Sequence, residues 1–388
     1  MNNFESFPNR KGTRSMKWDL VKNVFGSEDI QPMWVADMDL EIADPIKKAL
    51  TERIEHGIFG YTVTDEQLNK TVQQWLVKQH DWDIDPDWLL YSPGVIPTIH
   101  MTILTQTDPG DKILIQTPVY HPFQQIIKSH QRELVTNPLI YQNGRYTIDF
   151  VDLEEKFKQG VKVMLFCSPH NPVGRVWTEE ELNKILALAE KYDVLIISDE
   201  IHADLIYEPF KHIPAGSLDS AISEQIISCF SPTKTFNLAG LQVSYAVIPD
   251  KKLRTEISAA LSKYGINSLN TLGITALEAA YQFGDEWLAG LIQLLKQNYQ
   301  LIETTFADCD KIDVIQPEGT YLIWLDCRKM NLTQGELVKF MTEEAKVGLN
   351  NGVTFGEEGR GFMRLNIASP TAYVKEGVDK IIAALNRT

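Results

Sequence analysis

Apolar strand-like runs that alternate with helical segments restrict the fold of this 388-residue chain more than any other feature. The runs KILIQTP, VKVMLFCSP, VLIISDE and QIISCFSPTK lack the alternation of apolar and polar residues that a half-exposed strand shows, so they predict strands buried on both faces. Between two of them, TEEELNKILALAEKY predicts a helix, because Thr178 and Glu181 form a capping-box pattern at its start. This alternation predicts an α/β protein with a mostly parallel sheet covered by helices.

A distinctive polar or glycine-containing run follows each predicted strand. SPGV follows WLLY, TPVYHPF follows KILIQ, SPHNPVGR follows VMLFC, DEIH follows VLIIS, and SPTK follows IISCF. The carboxyl ends of parallel strands lie at one edge of a sheet, and ligands of such proteins bind beyond that edge. We therefore expect these five segments to converge on one rim and to form a binding site.

The run SPTKTFNLAGLQ places Lys234 between small hydroxyl residues and ahead of a glycine. A lysine amine forms Schiff bases with carbonyl compounds, and the hydroxyl groups of Ser231 and Thr233 suit a phosphate beside it. Pyridoxal phosphate (PLP) is the cofactor that needs both kinds of group. A solvated surface lysine is the common alternative for so short a pattern, so the prediction of a PLP site depends on the other rim segments.

Asp199 and His202 lie in the run that follows the third of these strands. A carboxylate such as that of Asp199 would keep the pyridine nitrogen of PLP protonated, which the cofactor needs to act as an electron sink. His202, three residues later, would share a face with Asp199 in a helical turn and could donate to the phenolate oxygen of the cofactor. The alternatives are a helix-capping or ion-paired aspartate and a structural histidine.

Asn171 and Tyr120 lie on two other rim segments. Pro172 disfavours the helical conformation at Asn171, which therefore occupies a sharp turn and could also bond the phenolate oxygen. Tyr120 could stack on a flat ring. An ordinary Asn-Pro turn and a packed aromatic residue are the alternatives.

Three further positions complete the candidate site. Gly94, Val95 and Ile96 open a predicted helix whose free backbone N–H groups suit a phosphate. Arg364, in RGFMRLNI, suits bidentate binding of a substrate carboxylate, and a structural salt bridge is an equal alternative. Tyr61, in HGIFGYT, is either an active-site group or a packed loop aromatic.

The chain changes character beyond about residue 286, where a long helical stretch precedes the strand-like runs EGTYLIWLDC and RGFMRLNIASP. This change predicts a large domain over residues 48–285 and a smaller α+β domain over 286–388. We expect the N-terminal segment, residues 1–47, to form part of the smaller domain.

The composition excludes several classes of function. The net charge is −15 and basic residues do not cluster, so binding to nucleic acid or to an anionic membrane is not expected. No apolar run approaches the roughly 20 residues of a membrane-spanning helix. The polar N-terminus lacks the apolar core of a signal peptide, and the cysteines at 167, 229, 309 and 327 are scattered. We therefore expect a cytoplasmic protein with reduced thiols and no metal site.

Together the motifs resemble one known family. GYT, SPGV, PVYHPF, NPVG, DEIH, SPTKTF, GTYL and RLNIA occur in this order along nearly the whole chain, which is similar to the fold-type I PLP enzymes related to aspartate aminotransferase. Within that superfamily, RKGTRSMKWD, PMWVADMD and NLAGLQ resemble the MalY/PatB group of cystathionine and cysteine-S-conjugate β-lyases. The resemblance implies a seven-stranded, mostly parallel sheet in a large PLP-binding domain, with a smaller α+β domain.

The resemblance also implies a role for each candidate residue. Lys234 would form the Schiff base, Asp199 would pair with the pyridine nitrogen, and Tyr120 would stack on the ring. Asn171 and His202 would contact the phenolate oxygen, and the phosphate would be held by Ser231, Thr233 and the loop Gly94, Val95 and Ile96. Arg364 would hold the substrate carboxylate, with Asn171 also at the substrate, and Tyr61 would reach the phosphate of a partner subunit in a homodimer. Many aminotransferases carry a phosphate-binding arginine where this chain has Gln242. That departure favours the lyase group.

The implied reaction is α,β-elimination from L-cystathionine or another L-cysteine S-conjugate, which yields a thiol, pyruvate and ammonia. Lys234 would remove the Cα proton, and Tyr120 or Lys234 would protonate the leaving sulfur. A PLP-dependent aminotransferase is the alternative, and a non-catalytic PLP-binding regulatory protein is a third hypothesis. Trp34, Val35 and Met38 would line a pocket for the substrate side chain or belong to the ordinary core.

Overall fold

The computed structural model describes residues 4–387. Residues 1–3, which begin the predicted N-terminal segment, and residue 388, which ends the predicted C-terminal domain, lie outside the described part of the chain.

The helices and strands follow one another as an alternating series through the middle of the chain. The strands are β1 (Gln31–Pro32), β2 (Leu89–Ser92), β3 (Lys112–Ile115), β4 (Glu133–Thr136), β5 (Ile140–Gln142), β6 (Arg145–Thr147), β7 (Val161–Cys167), β8 (Leu195–Asp199), β9 (Ile226–Phe230), β10 (Ser244–Val247), β11 (Asp313–Val314), β12 (Leu322–Asp326), β13 (Val347–Gly348), β14 (Asn350–Asn351) and β15 (Phe362–Asn366). The α-helices are α1 (Met16–Asp19), α2 (Val21–Phe25), α3 (Asp44–Glu55), α4 (Glu66–His80), α5 (Val95–Gln106), α6 (Pro122–Ser129), α7 (Phe150–Lys158), α8 (Glu179–Tyr192), α9 (Pro232–Thr235), α10 (Lys251–Lys263), α11 (Thr271–Phe283), α12 (Asp285–Phe306), α13 (Gln334–Lys339) and α14 (Thr371–Leu385).

A seven-stranded sheet with the order β2-β10-β9-β8-β7-β3-β4 forms the centre of the molecule. β10 runs antiparallel to both of its neighbours, and the other adjacent pairs are parallel. The prediction of a mostly parallel sheet is therefore confirmed. In register, Cys167 at the end of β7 lies beside Asp199, which in turn lies beside Cys229 of β9. The ends of these three strands thus meet at one edge.

The central strands are buried on both faces, as their continuous apolar runs predict. Along β7, Val163 and Leu165 belong to one apolar cluster, whereas Met164 and Phe166 belong to another. Alternate side chains of a strand point to opposite faces of its sheet, so the two clusters are the two helix-covered sides. The predicted helix after β7 is α8, and Thr178 and Glu181 form its capping box.

A second sheet, of the order β11-β12-β15-β14, is antiparallel and lies in the C-terminal part of the chain, after the long helix α12. The N-terminal segment joins this part because β1 pairs in parallel with β13. The domain boundaries at residues 47 and 285 stay a prediction. Among residues 4–387, no helix combines the length and the apolar character that crossing a membrane requires.

Candidate active site

The rim of the large sheet is built by the segments that follow its strands. Asp199 is the last residue of β8, and α9 with Lys234 begins two residues after β9. The turn after β7 contains cis peptide bonds before Pro169 and Pro172, and Asn171 lies between them. Gly94 precedes α5 in extended backbone. The structure thus brings four of the predicted segments to one side of the sheet.

Lys234 is partly buried, and its Nζ donates a hydrogen bond to the carbonyl oxygen of Ala36 at 2.6 Å. Burial and the positive charge of Arg364 lower the pKa of Lys234 to about 8, although the charges of Asp37 and Asp199 oppose this shift. A lysine with such a pKa is partly neutral at physiological pH, so its amine is available as a nucleophile or as a base.

Asp199 is buried, and within the described residues its carboxylate accepts one recorded hydrogen bond, from the backbone N–H of Ile201 at 3.2 Å. Burial raises the pKa of Asp199 to about 7, and the hydrogen bond from Ile201 and the charge of Lys234 offset part of that rise. A buried carboxyl group with so few donors would be stabilised in its charged form by a cationic nitrogen placed against it.

His202 is buried in the turn that follows β8, at the edge of the ring of Tyr321, with 5.7 Å between ring centroids. Its Nδ1 has no hydrogen-bond partner among the described residues. Burial, together with the charges of Lys234 and Arg364, lowers the pKa of His202 well below its ordinary value. The neutral imidazole therefore has hydrogen-bonding capacity to spare for a ligand.

Arg364 lies on β15 and is buried. Its Nη1 donates to Oδ1 of Asn171 at 2.9 Å, and its Nη2 donates to Oδ1 of Asn350 at 2.6 Å and to the carbonyl of Trp34 at 3.1 Å. The guanidinium packs over the ring of Phe355 at 4.8 Å.

Among residues 4–387, no carboxylate forms an ion pair with Arg364. Its recorded acceptors are neutral, its Nε has no partner in the described part of the chain, and burial lowers its pKa to about 10. The structural salt bridge that the sequence left open is therefore absent from the described residues. A buried guanidinium of this kind favours an anionic ligand.

The residues predicted to hold a phosphate lie just after β9 and at the start of α5. Ser231 Oγ accepts from the N–H of Thr233 at 3.1 Å, donates to the carbonyl of Val243 at 2.7 Å and lies 2.7 Å from Thr233 Oγ1. No side-chain cap occupies the N-terminus of α5, which Gly94, Val95 and Ile96 form. Its backbone N–H groups are therefore available to an anion. Gln242 is exposed.

Tyr120 is half-buried on the segment between β3 and α6 and packs edge-on against Phe123, with 5.9 Å between ring centroids. Burial and the charge of Asp199 raise the pKa of Tyr120, whereas the charge of Arg364 lowers it. Its hydroxyl group is thus in the electrostatic neighbourhood of both rim charges, and it stays protonated at physiological pH.

Two predicted residues are placed differently from the others. Tyr61 is fully exposed, and the structure does not bring it to the rim of its own chain. Trp34 is half-buried, with its Nε1 donating to the carbonyl of Lys17 and its ring edge-on to Phe25. Of the two other proposed pocket residues, Val35 is half-buried, and Met38 belongs to the main core.

Sequence reasoning missed several groups at the site. Ala36 contributes a backbone carbonyl, which has no sequence signature. Tyr321 also donates to that carbonyl, at 2.8 Å, and its presence in the GTYL motif was the signal that could have identified it. Asn350, on β14, and Phe355, at the end of a short 3-10 helix, contact Arg364 and lie in a stretch with no recognisable pattern.

The chain is similar to known proteins along nearly its whole length. Residues 35–381 match the family model for aminotransferase class I and II. The chain is 40% identical to cystathionine beta-lyase PatB of Bacillus subtilis (strain 168), over 99% of this chain and 100% of that protein, and 35% identical to protein MalY of Escherichia coli (strain K12), over 99% of each. A PLP-bound protein of Clostridium difficile 630, described provisionally as an aminotransferase, superposes over the full length of both chains with a TM-score of 0.97 and 41% identity.

Proposed function

The chain belongs to the class I and II aminotransferase family, and from this premise we propose that it is a PLP-dependent carbon–sulfur β-lyase. It cleaves L-cystathionine or other L-cysteine S-conjugates to a thiol, pyruvate and ammonia. The observation that carries the proposal is the similarity to a cystathionine β-lyase along the whole chain.

The rim residues fit PLP. Asp199, with its pKa raised to about 7 by burial, suits the pyridine nitrogen. The unpartnered Nδ1 of His202 suits a polar oxygen of the ring, and the uncapped start of α5 suits the phosphate. When bound, PLP supplies an electron sink that stabilises negative charge at Cα of an amino acid.

The remaining steps of the reaction are carried out by residues of the chain. Arg364 binds the α-carboxylate of the substrate and fixes the orientation of Cα. The neutral amine of Lys234 takes the Cα proton, and the C–S bond then breaks with its electron pair leaving on sulfur. The thiolate takes a proton from Tyr120 or from the ammonium form of Lys234. Released 2-aminoacrylate reacts with water and gives pyruvate and ammonia.

A PLP-dependent aminotransferase remains the second candidate, because one structural neighbour is described in that way. The two reactions share proton removal from Cα and differ in whether Cβ then loses its substituent. The exposed Gln242, where many aminotransferases carry an arginine, favours the lyase.

We propose further that the protein is a cytoplasmic homodimer with shared active sites. Ile58, Phe59, Tyr61 and Val63 form an exposed apolar strip after α3, and a strip of this kind is typical of a protein interface. In this arrangement Tyr61 reaches the phosphate bound by the partner subunit.

A combined spectrum and product assay tests the function. We expect an absorbance band at about 420 nm that disappears when borohydride reduces the imine at Lys234, and pyruvate from L-cystathionine without a keto-acid acceptor. Lys234→Ala should remove both, whereas Lys296→Ala, at an exposed position on α12, should remove neither. Accumulation of pyridoxamine phosphate without pyruvate would support the aminotransferase, and wild-type turnover by Lys234→Ala would refute the mechanism.

A further inference from the structure

Side chains of two N-terminal motifs that take no part in the proposed reaction meet in one ion-pair cluster with a buried centre. RKGTRSMKWD contributes Arg10, Lys17 and Trp18, and PMWVADMD contributes Asp37 and Asp39. We call these five residues the N-terminal clasp. It joins the segment before β1 to the segment after it.

Asp39 is the centre of the clasp. Its carboxylate accepts from Lys17 Nζ at 2.5 Å, Arg10 Nη1 at 2.7 Å, Trp18 Nε1 at 2.8 Å and Ser369 Oγ at 2.8 Å. The side chains of Lys17 and Asp39 are both 0% exposed. Although burial acts to raise the pKa of Asp39, the charge of Lys17 and these hydrogen bonds hold it below its ordinary value.

The clasp is balanced in charge. Arg10 also pairs with Asp37, with distances of 2.5 and 3.0 Å to its two carboxylate oxygens. Two cations therefore meet two carboxylates. Burial of such groups is costly unless each charge is paired and hydrogen-bonded, and here both conditions hold.

The segment held by the clasp, residues 33–40, lies between β1 and α3 and has no regular secondary structure of its own. Two of its carbonyl oxygens face the candidate site. That of Trp34 accepts from Arg364, and that of Ala36 accepts from Lys234 and from the hydroxyl group of Tyr321. The positions of the guanidinium and of the amine thus depend on the path of this backbone.

On its other side the same backbone is fixed by the clasp. The side chain of Asp39 points into the charge cluster, while its N–H donates to the carbonyl of Ala368. Asn366 adds a second anchor, because its Nδ2 donates to the carbonyls of Val35 and Asp37 at 2.6 and 2.7 Å. The clasp and Asn366 therefore bracket the two carbonyls that contact Arg364 and Lys234.

We propose that Lys17 and Asp39 are positioning residues, which hold the 34–36 backbone so that Arg364 is oriented for the substrate carboxylate. This inference rests on the proposed function, because it takes Arg364 as the carboxylate-binding group. The contrasting possibility is a cluster that only stabilises the fold.

The test uses the full-length holoenzyme and the double variant Lys17→Met with Asp39→Asn, which removes the buried pair without leaving a lone charge. We expect KM for L-cystathionine to rise about tenfold while kcat falls less than threefold, which corresponds to lost ground-state and transition-state binding. Amide hydrogen exchange of residues 33–40, measured without substrate, should become faster. Lys22→Met with Glu28→Gln removes an exposed pair of the same N-terminal segment and should change neither quantity.

The possible outcomes distinguish a positioning role of the clasp from a purely stabilising one. A lowered melting temperature with unchanged KM and unchanged exchange would overturn the proposal, because a purely stabilising cluster behaves in that way. If the wild-type protein shows no lyase activity, the proposed function fails, and the exchange measurement still tests the clasp. Should the double variant not fold, Trp18→Phe removes one donor to Asp39 and should raise KM about twofold to threefold, in line with the loss of one hydrogen bond.

Discussion

Buried carboxyl groups have opposite hydrogen-bonding environments in two regions of this protein. These regions are the rim of the large sheet and the N-terminal clasp. In the clasp, Asp39 has four donors and its pKa is lowered. At the rim, Asp199 has one recorded donor and its pKa is raised to about 7. Both carboxyl groups are almost equally buried, so burial alone does not distinguish them.

This difference helps to distinguish buried polar groups that stabilise the fold from those that bind a ligand. Buried polar groups are normally satisfied, because an unmet hydrogen bond costs about 1–3 kcal/mol. At the rim, Nδ1 of His202 and Nε of Arg364 have no partners in the described chain. These two groups therefore lower the folding stability of the protein. A buried guanidinium and a buried imidazole that have unused hydrogen-bonding groups at one site can be completed by a ligand.

The largest expected effect comes from Asp199→Asn. We expect kcat/KM for L-cystathionine to fall by at least about 10³-fold, because asparagine cannot balance a cationic nitrogen. The cofactor-free variant should nevertheless be more stable than the wild-type protein at pH 8. The pKa of Asp199 is raised on folding from 3.8 to about 7, so its contribution to stability is lost as the pH rises through about 7.

The stability of the cofactor-free Asp199→Asn protein is measured by thermal unfolding at pH 5 and pH 8. The gain should reach about 1–4 kcal/mol at pH 8 and be smaller at pH 5. Asp39→Asn is the matched control and should destabilise by about 3–5 kcal/mol, since it leaves Lys17 buried without its partner charge. If both variants destabilise alike at pH 8, the contrast between the two regions is wrong.

Arg364→Lys should raise KM for L-cystathionine about 10–100-fold, because an ammonium group cannot reproduce a bidentate contact with a carboxylate. The expected change in kcat is smaller. Arg360→Lys is the control, since Arg360 is exposed and pairs with Glu357. Equal KM values for the two variants would remove Arg364 from the substrate site.

The amine of Lys234 in the cofactor-free protein should react with added PLP at a rate that rises with pH to a midpoint near 8. The neutral amine is the nucleophile, and burial and the charge of Arg364 lower the pKa of Lys234 to about 8. Arg364→Met should move the midpoint upward by up to about 1 pH unit, because one of the causes that lower the pKa is then gone. Stopped-flow absorbance measures the rate, and a midpoint that stays unchanged in the variant contradicts this explanation.

The smallest expected effect concerns the substrate side chain. Trp34→Ala should change the ratio of kcat/KM between bulky and small S-conjugates about threefold to tenfold, as for a lost apolar contact. Phe283→Ala, at an exposed aromatic residue remote in sequence from the clasp, is the control. An unchanged ratio would show that Trp34 only supports the backbone that the clasp holds.

The sequence predicted the elements that local patterns encode. The continuous apolar runs became β3, β7, β8 and β9, and the rim motifs follow those strands as expected. Lys234, the aspartate at the end of β8 and the arginine on β15 were recognisable because the proposed chemistry requires particular side chains. Their catalytic roles stay a prediction.

The features that could not be predicted from the sequence are determined by tertiary contacts. The antiparallel direction of β10 is not apparent in its short apolar run. The acceptor for Lys234 is a backbone carbonyl, 198 positions away in the chain, and a carbonyl is common to every residue. The motif RKGTRSMKWD could be assigned to a subgroup. The burial of Lys17, however, depends on which later segments of the chain fold against it, and the motif does not encode these segments.

The clasp also determines when the active site can first form during synthesis of the chain. Asp39 contacts Ser369, 330 positions later in the chain. At about 5–20 residues per second, a ribosome needs roughly 15–65 s to make the intervening stretch. Throughout this interval the backbone of Met33 lacks its hydrogen-bond partners Gly348 and Asn366. Residues 33–40 should therefore stay sensitive to proteases on the nascent chain and become resistant only after release, at the same time as activity appears.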